Sequence, residues 1–276
     1  MAAANAAAMT MTDAITVPAV RTIAVKGVVI GEGMPRIIVP ITATTAAEAL
    51  AQAGRIGANA DIDLVEWRID SLDIAGDVQA LIALAAQVAA AVNAKPVLLT
   101  LRTRSEGGAA AIDDAGYGRL YTALIQAGAA DLYDVEMCRD QAVVRQIVAA
   151  AHAAGAWIVM SNHDFHATPD TAEIVARLRR QQALGADVLK IAVMPHDPGD
   201  VLKLLAATWQ LRQSSDRPLL TISMGPLGAI SRLAGASFGQ ALTFGMLGAG
   251  SAPGQIEVGT LRAILNALDH GGSPRP

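Results

Sequence analysis

The stretch Gly185-Ala-Asp-Val-Leu-Lys190-Ile-Ala-Val-Met194 sets one lysine inside a short apolar run that otherwise reads as a buried strand. Charged side chains are rarely buried without a partner or a purpose. An ammonium group taken out of water loses hydration, which lowers its pKa and frees the amine. A neutral amine attacks a ketone to give a Schiff base, which a hydrated surface lysine does poorly near neutral pH. Two readings are open. Either Lys190 serves chemistry, or it stands at a strand end and its head reaches water past an apolar stem.

Outward from this stretch the chain alternates short apolar runs with longer helical patterns. Strand-like runs cover 37–41, 64–67, 97–101, 132–135, 157–161, 188–192, 219–223 and 241–244. Helical patterns cover 45–57, 77–92, 117–127, 140–153, 170–184, 198–213, 230–234 and 256–268. Continuous apolar runs suit strands buried on both faces, as in parallel sheets covered by helices. Eight such units in one chain of 276 residues predict an α/β fold of the (β/α)8 TIM-barrel type. Residues 22–30, turning at Lys26-Gly27, read as a short N-terminal β-hairpin added to it. A doubly wound open sheet is the competing topology, but no glycine-rich dinucleotide loop follows the first strand. The expected division is a single catalytic domain over 21–268, with disordered extensions at 1–20 and 269–276.

Composition narrows the function classes. Hydrophobic residues make up 53% and charged residues 17%, enough to bury a large core, with alanine rather than the 3% of aromatics supplying the bulk. Net charge is −4, and no basic cluster is denser than Arg177-Leu-Arg-Arg180, so nothing favours nucleic acid. A single cysteine, Cys138, excludes an internal disulfide framework and a cysteine-pair zinc site, and fits a reducing cytoplasmic compartment. The first twenty residues lack the basic start of a secretory signal. Residues 78–94 are too short to span a bilayer, and 233–256 are broken by glycines and a proline, so no membrane partner is expected.

In such a barrel, chemistry gathers where strands end. Those ends carry Glu66, Arg68 and Asp70; Arg102, Arg104 and Glu106; Asp134 and Glu136; and Ser161-Asn-His163-Asp-Phe-His166. Further ends carry Lys190, then Ser223 and Met224 with Arg232 beyond, and finally Gly248-Ala-Gly-Ser251-Ala-Pro-Gly-Gln255. Singly, each has a plain explanation. Glu66 and Arg68 also suit a structural ion pair, His163 an ordinary loop histidine with His166 its competitor, and Arg232 a helix cap. Together they make a working set. A Schiff-base lysine withdraws electrons from the neighbouring carbon, and an imidazole takes a proton there near neutral pH. A carboxylate such as Glu106 orients that imidazole. Several arginines in one pocket imply an anionic substrate, because guanidinium forks match carboxylates. The expected ligand is a small anionic polyhydroxylated keto acid.

These residues resemble the type I 3-dehydroquinate dehydratases, the Schiff-base-forming family. The resemblance rests on Gly31-Glu-Gly-Met-Pro-Arg-Ile-Ile-Val39, Glu66-Trp-Arg68, and Arg102 with Glu106-Gly-Gly108. It continues through Met160-Ser-Asn-His-Asp-Phe-His166, Lys190-Ile-Ala-Val-Met-Pro195, Ile230-Ser-Arg-Leu-Ala-Gly235, Thr243-Phe-Gly245 and Ser251-Ala-Pro-Gly-Gln255. It implies a dimeric barrel in the shikimate pathway that needs no metal and no organic cofactor. Lys190 then forms the imine, His163 is the general acid and base, and Glu106 positions the histidine. Arg232, Ser251 and Gln255 match the group that holds the substrate carboxylate. Glu66, Arg68 and Arg102 match contacts to ring hydroxyls and the pocket floor, while Met224, Phe244 and Ala252 match apolar walls. Leu189, Ile191 and Met194 are expected to keep the amine neutral.

Three places depart from the family pattern: Pro40 where a serine is usual, Ile222 where a methionine is usual, and Gly225-Pro-Leu-Gly228 for Ser-Lys-Thr-Gly. Proline supplies neither hydroxyl nor N–H, a loss of about 1 kcal/mol if one substrate hydrogen bond goes. Two other functions compete: a class I aldolase-like barrel, and a catalytically silent barrel that senses a pathway acid.

Overall fold

The computed structural model describes residues 17–248 and 252–269. The hairpin forms as expected from β1 (Ile23–Val25) and β2 (Val28–Ile30), paired antiparallel. Lys26 at φ 45 and Gly27 at φ 80 make the two-residue turn, whose backbone needs positive φ at both positions. Then come β3 (Arg36–Ile41), α1 (Ala46–Gly57), β4 (Leu64–Arg68), α2 (Val78–Ala91), β5 (Val97–Thr100) and α3 (Asp114–Gln126). These are followed by β6 (Leu132–Glu136), α4 (Gln141–Ala153), β7 (Trp157–Asp164), α5 (Thr171–Ala183) and β8 (Val188–Val193). The remaining described elements are α6 (Pro198–Arg212), β9 (Leu219–Ser223), α7 (Ala229–Ala234), β10 (Leu242–Met246), β11 (Ile256–Glu257) and α8 (Val258–Asp269).

Strands β10 and β3 to β9 pair in that order, all parallel, with β11 added beside β10. The seam between β9 and β10 is held by a bridge at Leu219 and Gln240 and by Ala241 N donating to Leu219 O at 2.8 Å. Helices cover the outer face over a core that takes in Val65, Trp67, Leu99, Ile158, Leu189 and Ile191. The inner face starts with one apolar residue from each barrel strand: Ile38, Leu64, Leu98, Leu132, Val159, Val188, Leu220 and Leu242. Ile23 and Ile30 of the hairpin pack into the same cluster, so the hairpin plugs that end of the barrel.

Sequence and structure differ at element ends for local reasons. Helix α3 starts three residues before the expected Tyr117, because Asp113 accepts from Gly116 N at 2.7 Å and Asp114 favours the positive helix end. Strand β7 runs on to Asp164, since its polar end keeps pairing with β8 through His163–Ala192 and Asp164–Val193. Of the expected extension, 1–16 lies outside the described residues, while Pro18 O accepts from Arg212 Nη1 at 2.6 Å. Residues 270–276 of the expected tail also lie outside the description.

Candidate active site

A strand presents alternate residues to one face, so two residues beyond the apolar ring each strand contributes again to the interior. That layer is Pro40, Glu66, Thr100, Asp134, Ser161, Lys190, Ile222 and Phe244. A further step gives Arg68, Arg102, Glu136, His163, Ala192 and Met224, in or just past β4 to β9. The barrel therefore changes from apolar to ionic within one pleat. Above it opens a cleft of about 700 Å³, its mouth included. Glu66, Arg68, Arg102, Glu106, His163, Lys190, Met224, Arg232, Phe244, Ala252 and Gln255 all line it, as does Ile222. Ser251 lies outside the described residues. Pro40 sits opposite Glu66 in the β3–β4 ladder and does not line the cleft.

Lys190 is 3% exposed, and its Nζ lies 2.7 Å from Asp134 Oδ2 and 3.4 Å from Glu66 Oε1. The Phe244 ring lies beneath it, 4.9 Å from Nζ to the centroid. This corrects the expected apolar surroundings. Leu189 and Ile191 point to the helix-covered face, as strand neighbours must, and the amine faces carboxylates instead. Glu66 also accepts from Thr100 Oγ1 at 3.0 Å, and Arg68 pairs with Asp70 at 2.7 and 2.9 Å. The two are thus held by different partners, not by each other.

Arg102 is the hub of the buried charges. Its Nη2 donates to Asp134 at 2.8 Å, and its Nη1 reaches Glu136 at 3.0 Å, Ser161 Oγ at 3.0 Å and Glu106 at 3.4 Å. Burial works against the guanidinium's charge, but the carboxylates of Asp134, Glu136 and Glu106 carry its pKa well above the ordinary value. Burial likewise works against Asp134, which Arg102 and Lys190 still hold below the usual carboxylate range. Four carboxyl groups, Glu66, Glu106, Asp134 and Glu136, thus face two cations, Arg102 and Lys190. The excess of negative charge falls on Glu106. Burial first, then Glu136 and Asp134, push its pKa up to about 8 against the pull of Arg102.

His163 Nδ1 lies 2.8 Å from Glu106 Oε2. Burial, with Arg102 and Lys190 nearby, lowers the imidazole well below its ordinary pKa. Its ring stacks on Phe165 at 6.3 Å between centroids and 19° between planes. Gly107 makes this possible, since a Cβ there would lie 2.3 Å from the Phe165 ring; a Cβ at Gly108 would lie 2.1 Å from Arg102 O. The pair titrates as a unit. With Glu106 ionised, Nδ1–H donates to it and Nε2 keeps a free lone pair; with Glu106 protonated, Nε2 carries the hydrogen and is no base. We therefore expect base-dependent turnover by the free enzyme to fall as pH drops through about 8, with a slope of one proton. A kcat/KM profile flat from pH 9 to pH 6 is the contrary result.

Arg232 is 2% exposed, yet among the described residues no carboxylate pairs with it. Its Nη2 donates to Pro253 O at 3.3 Å, and its Nε has no partner among them. Burial pushes its pKa down to about 10, so it remains cationic at neutral pH. Pro253 O also accepts from Gly225 N at 3.2 Å, which draws the 252–255 segment over the Arg232 end of the cleft. A buried cation with an unused donor beside an open cleft is a site for an anion.

His166 does not compete. It is exposed and outside the cleft, and its carbonyl accepts from His196 Nε2 at 2.6 Å. Asp134, Glu136 and Ser161 stand at strand ends in the sequence but carry no expected role, although the structure puts them at the centre. The signal was available: Leu132, Asp134 and Glu136 alternate, so an inward Leu132 forces two acids inward.

Residues 37–271 match the family described as type I 3-dehydroquinase. The catabolic 3-dehydroquinate dehydratase of Acinetobacter baylyi is 46% identical over 254 residues, 92% of this chain and 93% of the relative. The 3-dehydroquinate dehydratase of Klebsiella pneumoniae strain 342 is 44% identical, over 94% of this chain and all of the relative. Among solved structures, type I 3-dehydroquinate dehydratase from Clostridium difficile, bearing covalently modified comenic acid, superposes with a TM-score of 0.88 at 39% identity. That match covers 92% of this chain and 100% of the other.

Proposed function

Because this chain belongs to the type I 3-dehydroquinase family of hydro-lyases, we propose that it dehydrates 3-dehydroquinate to 3-dehydroshikimate through an imine at Lys190. One observation carries the reading. A buried lysine shares a cleft with a 2.8 Å histidine–carboxylate pair and with an arginine that lacks a carboxylate partner among the described residues.

The substrate carboxylate satisfies Arg232, and this anchor turns the ring ketone toward Lys190. Nζ gives its ammonium proton to His163 and attacks the ketone carbon; one proton from nitrogen and the one held by His163 then pass to the carbonyl oxygen, which leaves as water. The iminium that results is an electron sink held beside Asp134, 2.7 Å from Nζ, whose negative charge stabilises the cationic nitrogen. His163 then takes a proton from the adjacent carbon, and the electrons of that C–H bond collapse toward nitrogen as an enamine. The same pair returns to expel the hydroxyl one carbon further on, with His163 delivering the proton that lets it leave as water. One water hydrolyses the conjugated iminium, releasing the enone and free Lys190. The net change is loss of one water, and the protein's own amine supplies the electron sink. Glu66 and Arg68 remain to contact ring hydroxyls.

The test is reduction in the presence of substrate. Incubation with 3-dehydroquinate and sodium borohydride is expected to add one reduced substrate to the peptide containing Lys190. Without borohydride, the ultraviolet absorbance of a conjugated enone should rise. Absence of both overturns the reading and favours a silent binding barrel. An adduct on another lysine relocates the chemistry and removes Lys190 from it.

A further inference from the structure

We propose that Tyr121 and Tyr117 are positioning residues for the Arg102 cluster, their hydroxyls spliced between β5 and β6 where the strands must part to admit the guanidinium. The inference rests on the functional reading above.

Main-chain pairing of β5 with β6 runs through Leu98–Leu132, Leu99–Tyr133 and Thr100–Asp134, and stops. In the same parallel register the next bonds would join Leu101 N to Asp134 O, and then Glu136 N to Leu101 O. Tyrosine hydroxyls from α3 meet both places, Tyr121 bridging the first and Tyr117 accepting the N–H of the second. Leu101 N donates to Tyr121 Oη at 3.2 Å, and that hydroxyl donates to Asp134 O at 2.5 Å. Glu136 N donates to Tyr117 Oη at 3.1 Å. Two legs thus replace one bond of about 2.9 Å, so the strands diverge.

Beyond this point the Glu136 side chain joins the two strands. Glu136 accepts from Thr103 N at 2.9 Å, Thr103 Oγ1 at 2.6 Å and Arg102 Nη1 at 3.0 Å. Arg102 follows Leu101 directly, so the length of the spliced bridge sets how far its guanidinium stands from Asp134 and Glu106. Both tyrosines are fully buried, stand one helical turn apart on α3, and have ring centroids 4.6 Å apart. Burial raises both phenols, so the bridge stays protonated and adds no titration of its own to a pH profile.

The bridge reaches Glu106 through Arg102. In Tyr121→Phe, Leu101 N and Asp134 O are free to close directly, and the guanidinium shifts away from Glu106. Less positive charge beside the Glu106–His163 pair raises its apparent pKa, because Arg102 depresses both groups in the native arrangement.

The experiment compares Tyr121→Phe with Tyr133→Phe. The second removes a hydroxyl that bonds to Leu124 O and Ala130 N, at the far side of β6 from the cleft. For Tyr121→Phe we expect kcat to fall about tenfold with KM within about twofold, the scale of a sub-ångström misplacement. The acid limb of its kcat/KM profile should rise by about half a pH unit or more, while Tyr133→Phe keeps both native values. An unchanged kcat and limb in Tyr121→Phe overturns the inference, as does the same change in both variants. Failure of the native protein to form enone overturns the functional reading and this inference with it; an active native protein with an unaltered Tyr121→Phe overturns this inference alone.

Discussion

Lys190→Met should abolish turnover, lowering kcat by at least about 10⁴-fold, because a pre-positioned nucleophile supplies effective molarities on the order of 10⁵ M and above. The substitution also removes the cation facing Asp134 and Glu66, at 2.7 and 3.4 Å. Breaking a buried pair by deleting one partner costs about 3 kcal/mol or more, so a loss of activity in Lys190→Met mixes chemistry with stability. Lys190→Arg separates the two. A guanidinium keeps the positive charge beside Asp134 but forms no imine, since it stays protonated at working pH. The expected outcome is a Lys190→Arg protein that unfolds near the native temperature and has no measurable turnover. Turnover within tenfold of native in Lys190→Arg would show that the positive charge, and not the amine, carries the reaction.

The lysine illustrates how far a sequence can be read and where it stops. That Lys190 belongs to a buried strand follows from its apolar run, and its place on the sixth barrel strand follows from counting βα units; whether its head reaches water does not follow. Its surroundings do not follow, because residues next to it in the chain lie on the other face of the sheet. The carboxylates that touch Nζ come from β6 and β4. Asp134 reaches past β7 because the residue paired with Lys190 there is Ser161, whose short side chain leaves room and whose hydroxyl donates to Asp134 at 2.6 Å. Such a contact depends on register across three strands, which no spacing within one segment encodes.

The histidine was legible for a different reason. His163 and Glu106 lie far apart in the chain, yet each stands at a strand end, and barrel geometry brings all strand ends to one rim. What the sequence could not supply is the charge balance. Only the assembled site shows how deeply Glu106 is buried and that four carboxyl groups face Arg102 and Lys190, and hence why Glu106 is pushed up to about 8. The tyrosine bridge was hidden too, since Tyr117 and Tyr121 read as core positions of an amphipathic helix and their hydroxyls act only through strands they do not belong to.

His163→Ala is the second large effect, and it should divide the reaction where Lys190→Met stops it altogether. The variant keeps Lys190, Asp134 and Arg232, so the substrate still docks and the ketone still meets the amine. Borohydride should therefore still fix a substrate adduct on Lys190, although more slowly. Proton removal and delivery lose their carrier, and kcat should fall about 10²- to 10⁴-fold, the usual contribution of a positioned acid–base group. The residual rate should also lose the inflection near pH 8, because Glu106 without its imidazole no longer governs the availability of a base. His166→Ala is the counterpart: its exposed side chain lies outside the cleft, and turnover should stay near native. If His166→Ala were inactive while His163→Ala kept full turnover, the 2.8 Å contact with Glu106 would be structural and the base would lie elsewhere. The adduct and the pH profile together distinguish loss of the base from loss of the fold. A misfolded variant gives neither adduct nor profile, whereas one missing only its base gives an adduct that scarcely turns over.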